Sequence, residues 1–142
     1  MSQSRVRLLC EDRRAERFFR RLCEQAGVRV VGVEVAPDGQ GSAADWVLSR
    51  YPALVRQRRA KAFQANLGLL VHIDGDAVGV TQRKTELDAR LAAHSMEARQ
   101  AAEPVAVCVP TWCIETWVLH LAELGTPAES VRVNRTPVGA TP

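Results

Sequence analysis

The chain has 142 residues, enough for one domain with a substantial core. Its 46% hydrophobic and 25% charged residues are typical of a globular protein and exclude a disordered chain, while a net charge of +3 is too small to indicate nucleic-acid binding by itself. No apolar run approaches the roughly 18–20 residues of a membrane span, and residues 1–7 lack the apolar segment of a signal peptide, so we expect a cytoplasmic protein without membrane contact.

Strand-like and helix-like segments alternate along the sequence. Apolar, β-branched runs predict strands, and apolar residues at helical spacing predict helices. In chain order they are a strand at Val6–Cys10, a helix at Arg13–Gln25, a strand at Val28–Val35, a helix from Ala43 capped by Ser42, a strand at Leu67–Ile73, a helix at Thr81–His94, a strand at Val105–Val109 and a helix around Ile114–Leu121. We expect Pro52 to break or kink the second helix, which would then be two helices.

This element order predicts an α/β fold. Strands joined through helices run parallel, and such sheets are covered on both faces. We therefore expect a single Rossmann-like domain over residues 1–125, with a four-stranded, mainly parallel sheet and helices on both faces. Residues 126–142 are rich in Thr, Pro, Ser and Arg, and we expect an irregular tail there.

Acidic residues follow three of the predicted strands. Glu11 and Asp12 come directly after the first, Asp74-Gly75-Asp76 after the third, and Glu115 after the fourth. Because parallel strands end at the same edge of a sheet, where open sheets bind their ligands, we expect these carboxylates to gather. Clustered carboxylates repel one another and suit a hard cation such as Mg²⁺ or Mn²⁺. The alternative is that they cap helices, which we favour for Asp12 and leave open for Glu11 and Glu115.

The basic residues indicate how a phosphate backbone could be held. No acidic residue lies between Asp45 and Asp74, and the candidate nucleic-acid contacts of this segment are Arg50, Arg56, Arg58, Arg59 and Lys61. Arg83 and Lys84 could reach a phosphate held near Asp76. The first helix carries five arginines with Glu16 and Glu24, and we expect a solvated face there. His72 lies within a strand, where a buried structural histidine is the expectation. The four cysteines lack C-x-x-C spacing, and we expect free thiols.

A strand ending in Glu11 and a third strand ending in Asp74-Gly75-Asp76, in this element order, resemble the Toprim fold of topoisomerases, primases and nucleases of the overcoming-lysogenization-defect type. The segment Pro110–Trp117 (PTWCIETW) is also similar to a "P…C-[IF]-E-x-W" stretch of small Toprim-like proteins associated with phage defence. The resemblance covers residues 5–124. It implies that Glu11 serves acid–base chemistry or metal binding and that Asp74 and Asp76 hold Mg²⁺. Toprim proteins commonly have glycine after the glutamate, where this chain has Asp12.

The resemblance implies a Mg²⁺- or Mn²⁺-dependent nuclease acting on DNA or RNA in anti-phage defence or repair. Its catalytic residues would be Glu11, Asp74 and Asp76, with Glu115 as a further metal ligand. A separate ATPase or another defence subunit is an expected partner, and homo-oligomerisation is left open. One alternative is a non-catalytic adaptor with the same pocket. Another is a phosphatase of the haloacid-dehalogenase type, whose D-x-D-x-[T/V] motif Asp74–Val78 fits, although no lysine follows Lys84.

Overall fold

A computed structural model describes residues 3–39, 41–64, 66–75 and 77–110. Its elements in chain order are β1 (Arg5–Cys10), α1 (Arg13–Gln25), β2 (Arg29–Val35), α2 (Ala43–Ala60), β3 (Leu67–His72), α3 (Gly79–Ala93) and β4 (Val105–Cys108). These bounds lie within two residues of the predicted ones wherever both ends were predicted. The predicted fourth helix and the C-terminal tail lie outside the described residues.

The four strands form one sheet in the order β2-β1-β3-β4, and every neighbouring pair is parallel. The predicted α/β fold with a single Rossmann-like domain is therefore confirmed for the described part of the chain. β1 and β3 lie at the centre, with Leu9 beside Val71 in register. The register between β1 and β2 shifts by one residue between Val6 and Arg7. The chain thus passes from β1 to β2 at one edge of the sheet. It then crosses to the other side of β1, where β3 and β4 follow in order.

Helices cover both faces of the sheet because successive strand residues point to opposite sides. On one face Leu8 and Cys10 pack against Ala15 and Phe19 of α1. On the other, α2 and α3 share the larger core, whose members are Leu9, Ala44, Val47, Leu48, Tyr51, Leu54, Val55, Leu69, Val71, Ile73, Leu87, Leu91 and Val105. Each fully buried aliphatic side chain of this kind contributes about 1.5–3 kcal/mol to folding. The two cores fix the sheet from both sides.

The helix ends follow from local sequence. The Asp12 carboxylate accepts a hydrogen bond from the Ala15 N–H at 2.8 Å, and the Ser42 hydroxyl accepts one from the Asp45 N–H at 3.2 Å. Both are N-caps, as predicted for these two residues. Gly27 follows α1 with a φ of 75°, a left-handed conformation that suits glycine at a helix C-terminus. Asp12 is thereby assigned to capping rather than to the acidic cluster.

The prediction that Pro52 divides the second helix is wrong. α2 runs unbroken from Ala43 to Ala60, with Pro52 buried inside it. Proline removes one helical hydrogen bond and crowds the preceding turn, at a cost of about 3 kcal/mol. The surrounding residues Leu48, Tyr51 and Val55 are each no more than 3% exposed, so tertiary packing offsets that cost. α2 is the longest described helix, and no helix in the described ranges is long and apolar enough to cross a membrane.

The buried acidic protons of the core predict a loss of stability at alkaline pH. Burial raises the pKa of the Cys10 thiol to about 12, of Cys108 to about 11 and of the Tyr51 phenol to about 12. The unfolded chain releases these protons first, so stability that is fully present below pH 9 is lost as the pH rises toward 12. We expect each thiol to cost about 1.4 kcal/mol by pH 10.

Urea denaturation at neutral pH and at about pH 10 measures this loss. A Cys10→Ala/Cys108→Ala variant should lose less stability between the two pH values than the wild type does. An equal loss in both proteins would show that other groups cause the alkaline destabilisation.

Candidate active site

The strand order places a topological switch point at the carboxyl ends of β1 and β3, and the space above these two strand ends is here called the crevice. The chain departs from β1 in one direction and from β3 in the other, so the loops that leave these two strands diverge. Such a point in an open parallel sheet is where ligands bind. Glu11 is the first residue after β1, and Asp74 is the second residue after β3. The predicted meeting of these two acidic positions is therefore realised in the fold.

Glu11 and Asp74 contact each other directly. The Glu11 Oε2 atom accepts a hydrogen bond from the backbone N–H of Asp74 at 2.7 Å. Glu11 is only 8% exposed, so this short bond to a charged acceptor lies in a partly dry environment where it is strong. The carboxylate does not cap α1, since Asp12 does so. Glu11 instead ties the end of β1 to the end of β3.

His72 lies between the two acidic residues and is fully buried. Its Nδ1 atom accepts the Glu11 backbone N–H at 3.4 Å. We therefore place the ring proton on Nε2, which lies 3.3 Å from Asp74 Oδ1. Neither of these two atoms has a hydrogen-bond partner among the described residues. The contact is therefore close but is not aligned as a hydrogen bond. The ring of Phe19 covers the histidine from α1, with 6.0 Å between ring centroids.

The prediction of a buried structural histidine is correct for burial and incomplete for position. His72 precedes Asp74 by two residues, so in extended backbone both side chains point to the same face. That spacing is the signal in the sequence that could have linked the histidine to the acidic cluster.

Arg83 joins α3 to the same loop. Its Nε atom donates to the Asp74 backbone carbonyl at 2.8 Å, and its Nη1 atom donates to Glu86 at 2.9 Å. Arg83 thus lies beside the acidic loop through its contact to the Asp74 backbone. Its predicted contact with a phosphate stays a prediction. Lys84 follows on the exposed side of the helix. α3 begins with no side-chain cap and no acidic residue in its first turn, so its positive helix end adds to the charge of Arg83.

Gly75 lies at a close approach of two chain segments. Its N–H donates to the Pro110 carbonyl at 2.9 Å. A Cβ atom at this position would lie 3.2 Å from that carbonyl oxygen and 3.4 Å from Val109 Cγ1. Among the described residues 73–75 and 77–79, Gly79 has a left-handed conformation, with a φ of 87°. Gly75 thus lets the end of β4 pack against the Asp74 loop.

The metal prediction rests on Glu11, Asp74, Asp76 and Glu115, of which Asp76 and Glu115 lie outside the described residues. Within residues 3–39, 41–64, 66–75 and 77–110, no three His, Cys, Asp or Glu side chains are arranged to hold a metal ion. The residues that are described fit a hard cation in one respect: Asp74 Oδ1 is a buried carboxylate oxygen with no hydrogen-bond partner among them. The Nε2–H of His72 lies 3.3 Å from this oxygen without hydrogen-bond alignment, so the oxygen needs a better-placed donor or a cation.

The basic segment 50–61 uses much of its charge inside the molecule. Arg50 donates two hydrogen bonds to Glu34, at 2.7 and 3.0 Å, and Arg59 donates two to Glu103, at 2.6 and 3.1 Å. Arg58 is 8% exposed and donates to the Lys61 carbonyl at 3.1 Å. Arg56 and Lys61 are exposed. The nucleic-acid role of this segment stays a prediction. Four of its five cations have intramolecular partners, since Arg56 also donates to the His94 carbonyl at 3.5 Å.

Loss of the Arg59–Glu103 pair is expected to destabilise the fold. The side chains are 28% and 14% exposed, and the pair connects α2 to the segment that precedes β4. We expect Arg59→Ala to lower the free energy of unfolding by about 1–2 kcal/mol, because it removes two charge-assisted hydrogen bonds. Arg56→Ala, in the same helix, should change it by less than about 0.5 kcal/mol. Equal effects in urea denaturation would contradict a structural role for Arg59.

The described cysteine thiols are poor nucleophiles at neutral pH. Cys10, Cys23 and Cys108 are free, as predicted, and burial raises the pKa of each thiol, so little thiolate forms near neutral pH. Cys113 lies outside the described residues.

Comparison with known proteins adds no relative. No protein-family model matches the chain, and neither the curated proteins nor the solved structures contain a significant match.

Proposed function

We propose that this protein is a Mg²⁺- or Mn²⁺-dependent enzyme that cleaves phosphodiester bonds in nucleic acid. The observation that carries the proposal is the meeting of Glu11 and Asp74 at the crevice between β1 and β3, with a buried Asp74 oxygen that lacks a hydrogen-bond partner among the described residues. A hard cation would compensate that oxygen and would bind a phosphate at the same edge.

Asp74 and Asp76 would hold the metal, with Glu115 as a further ligand. The bound cation would supply Lewis-acid polarisation of the phosphate and a lowered pKa for a bound water. Glu11 would accept the proton of the attacking water or would be a further ligand of the cation. Its Oε2 atom is already fixed by the Asp74 N–H, so the carboxylate is held in place before substrate binds. His72 and Arg83 hold this arrangement through Glu11 N and Asp74 O.

The charges around the crevice support an anionic substrate. Arg83 and Lys84 stand in the first turns of α3, whose positive end opens at the same edge of the sheet. A phosphate near the Asp74 loop would meet these cations as well as the metal. The Toprim resemblance points to the same chemistry, and the proposed setting in phage defence or repair, with a separate ATPase or other subunit as partner, rests on that resemblance alone.

One observation favours a second candidate, a non-catalytic adaptor. Glu11 is buried and accepts a strong backbone hydrogen bond, a role that a purely structural carboxylate would also play. In that case the crevice would bind a partner or ligand without chemistry.

Incubation of the purified protein with labelled DNA and RNA separates the two candidates. We expect cleavage with Mg²⁺ or Mn²⁺ and none with a chelator. Calorimetric titration with Mn²⁺, in the absence of nucleic acid, should show binding that Asp74→Asn weakens. Metal binding without cleavage of any DNA or RNA substrate would favour the adaptor, and the absence of both would reject the metal site.

A further inference from the structure

We propose that the exposed arginine face of α1 binds the phosphate backbone of the nucleic acid and leads it to the crevice. The inference rests on the proposed function for its choice of partner, and it assigns that partner a surface for which the sequence alone suggested only solvation. The surface, here called the α1 arginine face, consists of Arg13, Arg14, Arg17, Arg20 and Arg21.

The face follows from the helical period of α1. Ala15, Phe19 and Cys23 point into the core, four residues apart. Arg14, Arg17 and Arg21 have the spacing i, i+3, i+7 and form one exposed ridge on the other side. At 1.5 Å per residue the ridge spans about 10 Å. That length matches about three successive phosphates of one strand of a duplex, which rise 3.4 Å each along its axis.

α1 keeps more of its charge available than α2 does. Each helix has an excess of three positive charges, with five arginines against two glutamates in α1 and four arginines against one aspartate in α2. All four arginines in α2 donate to partners within the molecule, namely Glu34, Glu103 and the backbone carbonyls of Lys61 and His94.

In α1 a single residue, Glu16, pairs with Arg13 at 3.0 Å and with Arg20 at 2.8 Å. These bonds lower the pKa of Glu16, which therefore stays ionised. Because one carboxylate is shared by two arginines, this group of three side chains keeps a net positive charge. The side chains of Arg13 and Arg20 remain 74% and 50% exposed. Arg17 and Arg21 are exposed and have no acidic partner among the described residues.

The position of α1 connects this charge with the crevice. α1 begins two residues after Glu11, so its first arginines stand at the carboxyl edge of the sheet. At the other end of the helix an open groove of about 540 Å³ lies beside β2. Its charged lining residues are Arg17, Arg20, Arg21 and Glu24, so three cations face one carboxylate there. By contrast, residues Arg56 to Lys61 lie roughly 20–27 Å along the α2 axis from the end that faces the crevice. A strand laid on α1 therefore runs from the groove to the acidic cluster.

Fluorescence anisotropy in a chelating buffer tests the surface without any cleavage. The probes are a labelled DNA duplex of about 20 base pairs, its single strand and an RNA of the same sequence. We expect Arg17→Gln/Arg21→Gln to weaken binding about tenfold and to reduce the slope of log K against log salt by about two, because two phosphate contacts are lost. The comparison variant, Arg56→Gln/Lys61→Gln, removes the same charge from the segment that the sequence alone predicted as a nucleic-acid contact. If the strand lies on α1 instead, this variant should weaken binding less than about twofold, because its two residues lie at the far end of α2.

The outcomes separate this inference from the proposed function. A large effect of the α1 pair alone supports the surface even if the protein cleaves nothing. Equal effects of the two pairs, a larger effect of the α2 pair, or binding to anionic phospholipid vesicles but to no nucleic acid would overturn it. Cleavage by the wild type with unchanged binding of the α1 variant would uphold the enzyme and reject the surface. Since Arg17 and Arg21 are exposed, thermal unfolding should confirm that both variants fold normally.

Discussion

Asp74→Asn is expected to reduce metal-dependent cleavage about 100- to 1,000-fold while the fold is retained. The substitution keeps the size and planarity of the side chain but removes the negative charge that would hold the cation. Metal stabilisation of the transition state is worth several kcal/mol, and each 1.4 kcal/mol is a factor of ten in rate. The backbone contacts of residue 74, to Glu11 and to Arg83, do not depend on the carboxylate. Initial rates at saturating Mn²⁺ measure the effect.

The matched control is Asp88→Asn, which removes the same charge from an exposed position of α3. It should leave the rate within about twofold of the wild type, since distant surface charges are largely screened. If Asp74→Asn also retains the wild-type rate, Asp74 does not hold a catalytic metal, and the helix-loop geometry around it is structural. Circular dichroism of both variants shows whether lost activity reflects lost structure.

His72→Ala is expected to lower the free energy of unfolding by about 2–5 kcal/mol. The substitution leaves a cavity beneath Phe19, and it deprives the buried Glu11 N–H of its acceptor. His72→Asn separates the two functions of the ring. The asparagine Oδ1 atom can replace Nδ1 as the acceptor for Glu11, while nothing replaces Nε2 beside Asp74. We therefore expect His72→Asn to recover part of the stability but to lose kcat.

Urea denaturation and steady-state kinetics on the same preparations test this separation. His72→Gln places its amide nearer to the position of Nε2 and serves as the reciprocal variant. A positioning role predicts a loss in kcat with little change in KM, because the substrate does not touch the buried ring. If His72→Asn is as active as the wild type, the histidine acts only in packing.

Most of the fold could be predicted because its signals are local. Continuous apolar runs define the strands, and the caps at Asp12 and Ser42 define the helix starts. Pro52 is the instructive failure: its local preference is overridden by the burial of Leu48, Tyr51 and Val55, which only the folded state reveals. The strand order could not be derived from the predicted elements either, because the same sequence of strands and helices is compatible with more than one crossover pattern.

The candidate site likewise has features that the sequence predicts and features that only the tertiary fold determines. The meeting of Glu11 and Asp74 was predictable, since parallel topology puts both strand ends at one edge. The hydrogen-bond partners of the basic residues in α2 were not predictable. Arg50 finds Glu34, sixteen residues away, and Arg59 finds Glu103, forty-four residues away. Such partners depend on the tertiary fold, so a count of charges along the sequence overstates what α2 can offer a phosphate.

The contact between Gly75 and Pro110 changes how related sequences should be interpreted. A side chain at position 75 would require the Pro110 carbonyl to shift by a few tenths of an ångström, whether or not the neighbouring aspartates bind metal. Selection for a well-packed β4 alone would therefore maintain this glycine. A descendant that had lost catalysis could keep glycine at position 75 for as long as it kept the fold. In such a lineage, substitution of the aspartates would indicate the loss of catalysis, whereas the glycine between them would stay unchanged.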